Sequence, residues 1–196
     1  MTHESETMMP YPGGGWLRWL FRSPMIVWRL GLERVFGHIF VLITTWGRSS
    51  GKPRRVLTEY LPLKGKLYVV CAYGSKADWY KNIMADPRVT VQTWQGPESM
   101  IASRVTEDDE LRAVYHGFKR RSWPMMRWYL SSVGINPEDP DDYVAKKERV
   151  YIFRFDPTDE PTPPPQDADL VWIWPVALVS LLLMILLQRL IKRSET

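Results

Sequence analysis

Residues 88–105 read RVTVQTWQGPESMIASRV, and this stretch decides the fold. Arg88–Trp94 alternates apolar and polar residues with a period of two, which puts one strand face in a core. Gln95-Gly96-Pro97 is turn chemistry, and Glu98–Val105 resumes an extended pattern beyond it. Working outward, Ile39–Trp46 is β-branched and apolar, and Arg54–Pro62 follows the turn-rich GRSSGKP. Leu67–Tyr73 follows Lys64-Gly65-Lys66, and Arg149–Phe155 (RVYIFRF) supplies a last strand. Helical signals lie at Ala77–Ala85, stopped by Asp86-Pro87, and at Glu107–Val133, opened by the cap Thr106 and interrupted near Pro124. Six short strands with helices at the margins predict an α+β fold, a small barrel rather than a doubly wound parallel sheet.

The chain has 196 residues, room for one ordinary domain and little more. Its net charge of +4 conceals a strong polarity: residues 156–170 carry five acids and no base, whereas the preceding part is basic. The sequence divides accordingly. Residues 1–15 are a flexible N-terminus, 16–155 the folded domain, and 156–169 (DPTDEPTPPPQDAD) an acidic Pro-rich linker, stiffened toward polyproline II. From Val171 to Leu187 no charge appears, so residues 170–192 read as one transmembrane helix with Trp172 and Trp174 at one interface and Arg189, Lys192 and Arg193 at the other. Residues 193–196 form a tail. The basic aromatic stretches Trp16–Arg22 and Met25–Val35 read as helices broken near Ser23-Pro24. Their interleaved apolar and basic residues suit an anionic membrane surface and a solvated domain cap equally.

Several chemistries are excluded. Pro53 stands where a P-loop beginning at Gly47 needs Ser or Thr, and the glycine spacing is wrong as well. No G-x-G-x-x-G and no G-x-S-x-G occurs. His3, His38 and His116 are scattered and Cys71 is alone, so neither a metal site nor a disulfide framework is expected. No nucleic-acid-binding module is recognised. Two anion-favouring elements remain. Arg48, Ser49, Ser50, Lys52, Arg54 and Arg55 crowd one flexible turn, whose backbone N–H groups and guanidinium forks suit a phosphate. The second element, Tyr73–Asn82, runs from a strand end into a helix start. Side chains alone supply little catalytic apparatus, so an enzyme built this way relies on a cofactor.

GRSSGKPRR (47–55), Thr58-Glu59-Tyr60 and AYGSKADWYKNIMADPRVTVQ (72–92) together resemble the deazaflavin-dependent nitroreductase family. Those are proteins of the FMN-binding split-barrel type that use the reduced deazaflavin coenzyme F420. The resemblance covers roughly residues 16–155, including GHIFVLITT and RVYIFRF. It implies a six-stranded split β-barrel with flanking helices, to which the sequence adds the C-terminal transmembrane helix. It also implies that Arg48, Ser49, Ser50, Lys52, Arg54 and Arg55, with Thr58, hold the cofactor's phosphate and oligoglutamate tail. Ala72, Tyr73, Gly74, Asp78, Trp79, Tyr80, Lys81 and Asn82 then line the deazaflavin ring. The implied reaction is hydride transfer to an electron-poor acceptor, with Glu59, Tyr73 or Tyr129 supplying the balancing proton.

Glu59 stands where some nitro-reducing members have tyrosine, which argues against a nitroaromatic and, with a membrane anchor, for a lipid quinone; nitro and enone compounds remain as acceptors. An FMN- or haem-binding split barrel and a non-catalytic membrane-tethered module are the rival readings. A span so near the C-terminus, joined to a cytoplasmic coenzyme, implies a single-pass cell-membrane protein whose domain faces the cytoplasm, with membrane lipid as a partner. The oligomeric state is left open.

Overall fold

The structure, a computed structural model, describes residues 24–194. The expected helix at Trp16–Arg22 and the N-terminus 1–15 lie outside the described residues. Helix α1 (Pro24–Arg29) and the short α2 (Glu33–Phe36) replace the single helix read over Met25–Val35. Gly31, at φ +72°, makes the break, a left-handed turn that a side chain would strain.

Seven strands follow: β1 (Phe40–Trp46), β2 (Pro53–Glu59), β3 (Leu61–Leu63), β4 (Lys66–Val70), β5 (Arg88–Thr93), β6 (Gly96–Arg104) and β7 (Ile152–Pro157). They form one antiparallel sheet in the order β2-β1-β5-β6-β7-β4-β3. The expected six-stranded split barrel is therefore corrected to an open seven-stranded sheet, since no ladder joins β2 to β3 among the described residues. The extra strand comes from Tyr60. Its buried hydroxyl donates to Gly37 O at 2.9 Å, pinning the chain where it leaves β2 to the segment that leads into β1. The segment expected as one strand, Arg54–Pro62, is thus two strands at opposite sheet edges. Pro62 fits β3 because an edge strand tolerates a missing N–H.

Helices α3 (Asp78–Ala85), α4 (Asp108–Arg121), α5 (Trp123–Ser132) and α6 (Pro140–Ala145) complete the domain. Acids fill the first turn of α4 and bases its last, both favourable to the helix dipole. Its N-cap is Glu107, without a side-chain cap bond, instead of the expected Thr106. Ser122 ends α4 and Pro124 sits in the first turn of α5, which explains the interruption. Two apolar clusters hold these parts together. Val41, Ile43, Val69, Val89, Val91, Phe153 and Phe155 meet Ile83 of α3, while Leu111, Val114, Phe118, Leu130 and Tyr143 from the helices meet Leu61, Tyr68 and Ile152.

The alternation in β5 has an unexpected outcome, because both of its faces are buried. Val89 and Val91 enter the core, while Thr90 and Gln92 are covered by the Pro-rich segment. Thr162 Oγ1 lies 2.8 Å from Thr90 Oγ1 and 2.9 Å from Ser99 Oγ, and Thr90 also donates to Pro163 O. Gln92 exchanges two bonds with the Gln166 backbone: its Nε2 donates at 3.1 Å and its Oε1 accepts at 2.6 Å. Each such bond contributes about 0.5–1.5 kcal/mol net, so together they offset part of the entropy of ordering the segment.

Helix α7 (Ile173–Ser194) ends the described chain. Among the described residues no helix is long and apolar enough to cross a membrane. The base of α7 is fastened to the domain, since Leu170 N donates to Arg29 O at 2.8 Å and Trp174 Nε1 to Leu30 O at 2.9 Å. The expected transmembrane helix, single-pass cell-membrane location and lipid partner are corrected accordingly.

Candidate functional site

The turn between β1 and β2 is shaped by two glycines. Gly47 N donates to Lys52 O at 2.9 Å, and a Cβ on Gly47 would lie 2.8 Å from Ser50 Oγ. Gly51 takes a left-handed φ of +61° that closes the loop. Arg48 then clamps this turn to α3. Its backbone N–H and Nη1 both donate to Asn82 Oδ1, at 3.2 and 3.1 Å, and its Nη2 pairs with Asp78 Oδ1 at 3.0 Å. Asn82, itself buried, donates onward to Thr45 Oγ1 at 3.2 Å. The two motifs that the sequence shows 30 residues apart are therefore one assembly.

Above the assembly opens a cavity of about 1190 Å³, ample for a large cofactor plus a small acceptor. Arg48, Ser49, Ser50, Arg54, Arg55 and Thr58 line it from the loop and β2, and Ala72, Tyr73, Asp78, Trp79 and Asn82 from the other side. Val56, Leu57, Val70 and Ala77 make its apolar wall. The Trp79 ring is steadied against Phe153, with centroids 5.5 Å apart.

The remaining expected site residues are placed elsewhere. Lys52, Gly74, Tyr80 and Lys81 do not line the cavity. Tyr80 packs edge-on to Tyr151 at 5.4 Å, partly buried against the core. Glu59 accepts from Ser122 Oγ at 2.8 Å, at the end of β2 outside the lining. Tyr129 is buried among the helices, where its hydroxyl accepts from Tyr151 N at 3.3 Å and burial pushes its pKa up. Of the three expected proton donors, only Tyr73 borders the cavity. Beneath it, Cys71 is fully buried, donates to Gly74 O, and has its thiol pushed up to about 12 by burial.

Sequence reasoning missed one side of the site. Met25, Ile26 and Arg29 of α1 line the cavity, as do Gln166 and Asp169 of the Pro-rich segment. Arg29 grips Asp169 through Nε at 2.8 Å and Nη2 at 2.7 Å, which holds the carboxyl below its ordinary pKa and raises that of the guanidinium. Arg55 Nη2 donates to Pro165 O at 3.2 Å, while its Nε is a buried donor without an acceptor. The excess of bases between Trp16 and Arg55 was the available signal for Arg29.

The cavity of this sheet-and-helix domain thus has a basic turn on one side and Tyr73 and Trp79 on the other. Residues 31–136, over half of the chain, match the F420H(2)-dependent quinone reductase family, and the chain belongs to that family. It is thus a deazaflavin-dependent oxidoreductase whose cofactor is coenzyme F420. Among solved structures it is similar to an F420-H2-dependent reductase, FDR-A, at 21% identity over 60% of this chain and 93% of the other, with a TM-score of 0.46. The heme storage protein HutZ from Vibrio cholerae is similar at 14% identity over 71% and 92%, with a TM-score of 0.42. At these scores the family match carries the assignment. The cavity suits the cofactor: the Arg55 Nε donor in its wall lacks an acceptor, and phosphate or carboxylate oxygens would provide one.

Proposed function

We propose that the protein catalyses reduction of a quinone by F420H2 in the cavity between the Gly47–Arg55 turn and α3. What carries this reading is the convergence of the basic turn and the aromatic floor on one space. Ser49, Ser50, Arg54 and Arg55 hold the phosphate and the start of the acidic tail, because guanidinium and hydroxyl groups there meet few competing carboxylates. Arg48 acts through the fold: paired with Asp78 and Asn82, it fixes the turn that presents those groups.

The bound cofactor supplies a hydride equivalent, and the protein supplies orientation and dryness. Trp79 and the backbone at Ala72–Tyr73 form the floor on which a flat ring system lies. Val56, Leu57, Val70 and Ile26 exclude water from the ring and favour an apolar acceptor such as a quinone. Tyr73 Oη is the proton donor to the reduced acceptor, being the one expected donor that borders the space.

The test is oxidation of F420H2 followed by absorbance with a soluble naphthoquinone and, separately, a nitroaromatic. The quinone should turn over faster. Tyr73→Phe should lower kcat by about 100-fold, the low end for general-acid catalysis, with cofactor affinity unchanged. Faster reduction of the nitroaromatic, or full activity in Tyr73→Phe, would refute the acceptor or the donor respectively.

A further inference from the structure

Among the described residues, four guanidinium groups line the cavity, those of Arg29, Arg48, Arg54 and Arg55. Two of them are already paired with carboxylates that line the same cavity, Arg48 with Asp78 and Arg29 with Asp169. The two pairs differ in kind. Arg48–Asp78 is about as exposed, at 36% and 63%, but it joins the turn to α3 and is reinforced by two further bonds from Arg48 to the buried Asn82. Arg29–Asp169 joins α1 to the far end of a segment with few apolar anchors, and both of its side chains are about half exposed, at 41% and 49%. Between residues 156 and 169 this segment carries five acids, and it crosses the sheet to reach the cavity mouth.

We infer that this acidic segment is a built-in competitor for the cofactor's anionic tail: Asp169 occupies Arg29, and Arg29 becomes a tail-binding residue once Asp169 lets go. The inference rests on F420 being the ligand of this cavity. A carboxylate of the tail and the Asp169 carboxylate ask for the same bidentate fork, which serves one of them at a time. Exchange of one carboxylate for the other changes little in hydrogen bonding, so the Asp169 side chain can be displaced without leaving the Arg29 guanidinium unpaired. Pro165 and Arg55 keep their contact, because Gln166, which lies between Pro165 and Asp169, is held to Gln92 by two bonds. Arg29 thereby makes affinity depend on tail length, because a short tail held at Arg54 and Arg55 does not need to displace Asp169.

The experiment measures equilibrium binding of F420 preparations with short and with long oligoglutamate tails, together with hydrogen exchange over residues 158–170. Asp169→Asn should tighten the long-tailed form about two- to fivefold, the worth of one partly exposed charge pair, and leave the short-tailed form within a factor of about 1.5. That gain should vanish in an Arg29→Ala background, which separates release of Arg29 from general removal of negative charge. Long-tailed F420 should speed exchange in residues 167–170 of the unmutated protein. Equal effects on both tails, a gain that survives Arg29→Ala, or slower exchange on binding would overturn the competitor role while leaving F420 as the ligand. Failure of the unmutated protein to bind either form would overturn both.

Discussion

Arg54 and Lys52 sit two residues apart in the same basic turn, and their alanine variants should behave differently. Arg54 lines the cavity; Lys52 does not, although its carbonyl closes the turn by accepting from Gly47 N. A charge-assisted bond to phosphate contributes about 1.5–3 kcal/mol. Arg54 is exposed, and its guanidinium makes only a long 3.4 Å bond to Ser50 Oγ, so solvent takes part of that value. The lower range, about 1.5–2 kcal/mol, corresponds to about 10- to 30-fold in affinity. Arg54→Ala should therefore weaken F420 binding by that factor at 0.1 M salt, and Lys52→Ala by less than about twofold. As salt rises toward 1 M the Debye length falls from about 10 Å to about 3 Å, and the Arg54 deficit should shrink with it. Fluorescence titration of oxidised F420 at two salt concentrations reads all of this. Equal losses in the two variants would show that general charge, not the cavity wall, governs binding, and would refute the reasoning.

Two further outcomes follow from the same geometry. Trp79 and Tyr80 both rest on Phe153, at 5.5 and 5.7 Å between centroids, but only Trp79 borders the cavity. Both alanine variants should lower Tm, whereas only Trp79→Ala should also weaken F420 binding in titrations run well below the melting range. Burial pushes the Cys71 thiol up to about 12, so its thiolate is nearly absent at pH 8. Iodoacetamide at that pH should leave the native protein unlabelled and label it once denatured, as mass spectrometry would show; rapid labelling of the native form would contradict the burial.

The strands with alternating residues between turns were legible because that pattern is local, as at Arg88–Trp94. The break at Tyr60 was not, because it depends on the carbonyl of Gly37, which sequence reading had no reason to bring near. The loop and α3 were both legible as candidate site elements, and the Arg48 bonds show that they are joined. Lys52, Tyr80 and Lys81 do not border the cavity, and a motif does not tell which of its side chains turn toward one. Glu59 and Tyr129 were chosen for chemistry, yet Ser122 and Tyr151 engage them away from the cavity. The Pro-rich segment has a linker's composition, and nothing in it announces Thr90, Gln92 or Arg29 as partners more than 70 residues away. Seventeen uncharged residues suggested a membrane span, while the hydrogen bonds that dock the base of α7 are invisible in a hydropathy pattern.

The position of β7 has a consequence for synthesis on the ribosome. It is the last strand made, yet it lies between β6 and β4 and is the link by which the β3–β4 pair joins the sheet. About 80 residues separate Val70 from Ile152, which at about 5–20 residues per second is a wait of about 4–16 s. During that interval the nascent β3–β4 hairpin has an unpaired edge at Leu67–Val70, next to apolar positions that are not yet covered. A hairpin in that condition is the sort of surface that trigger-type chaperones shield and that neighbouring nascent chains pair with. Efficient production of this protein thus turns on how that one edge is guarded before its final neighbour arrives.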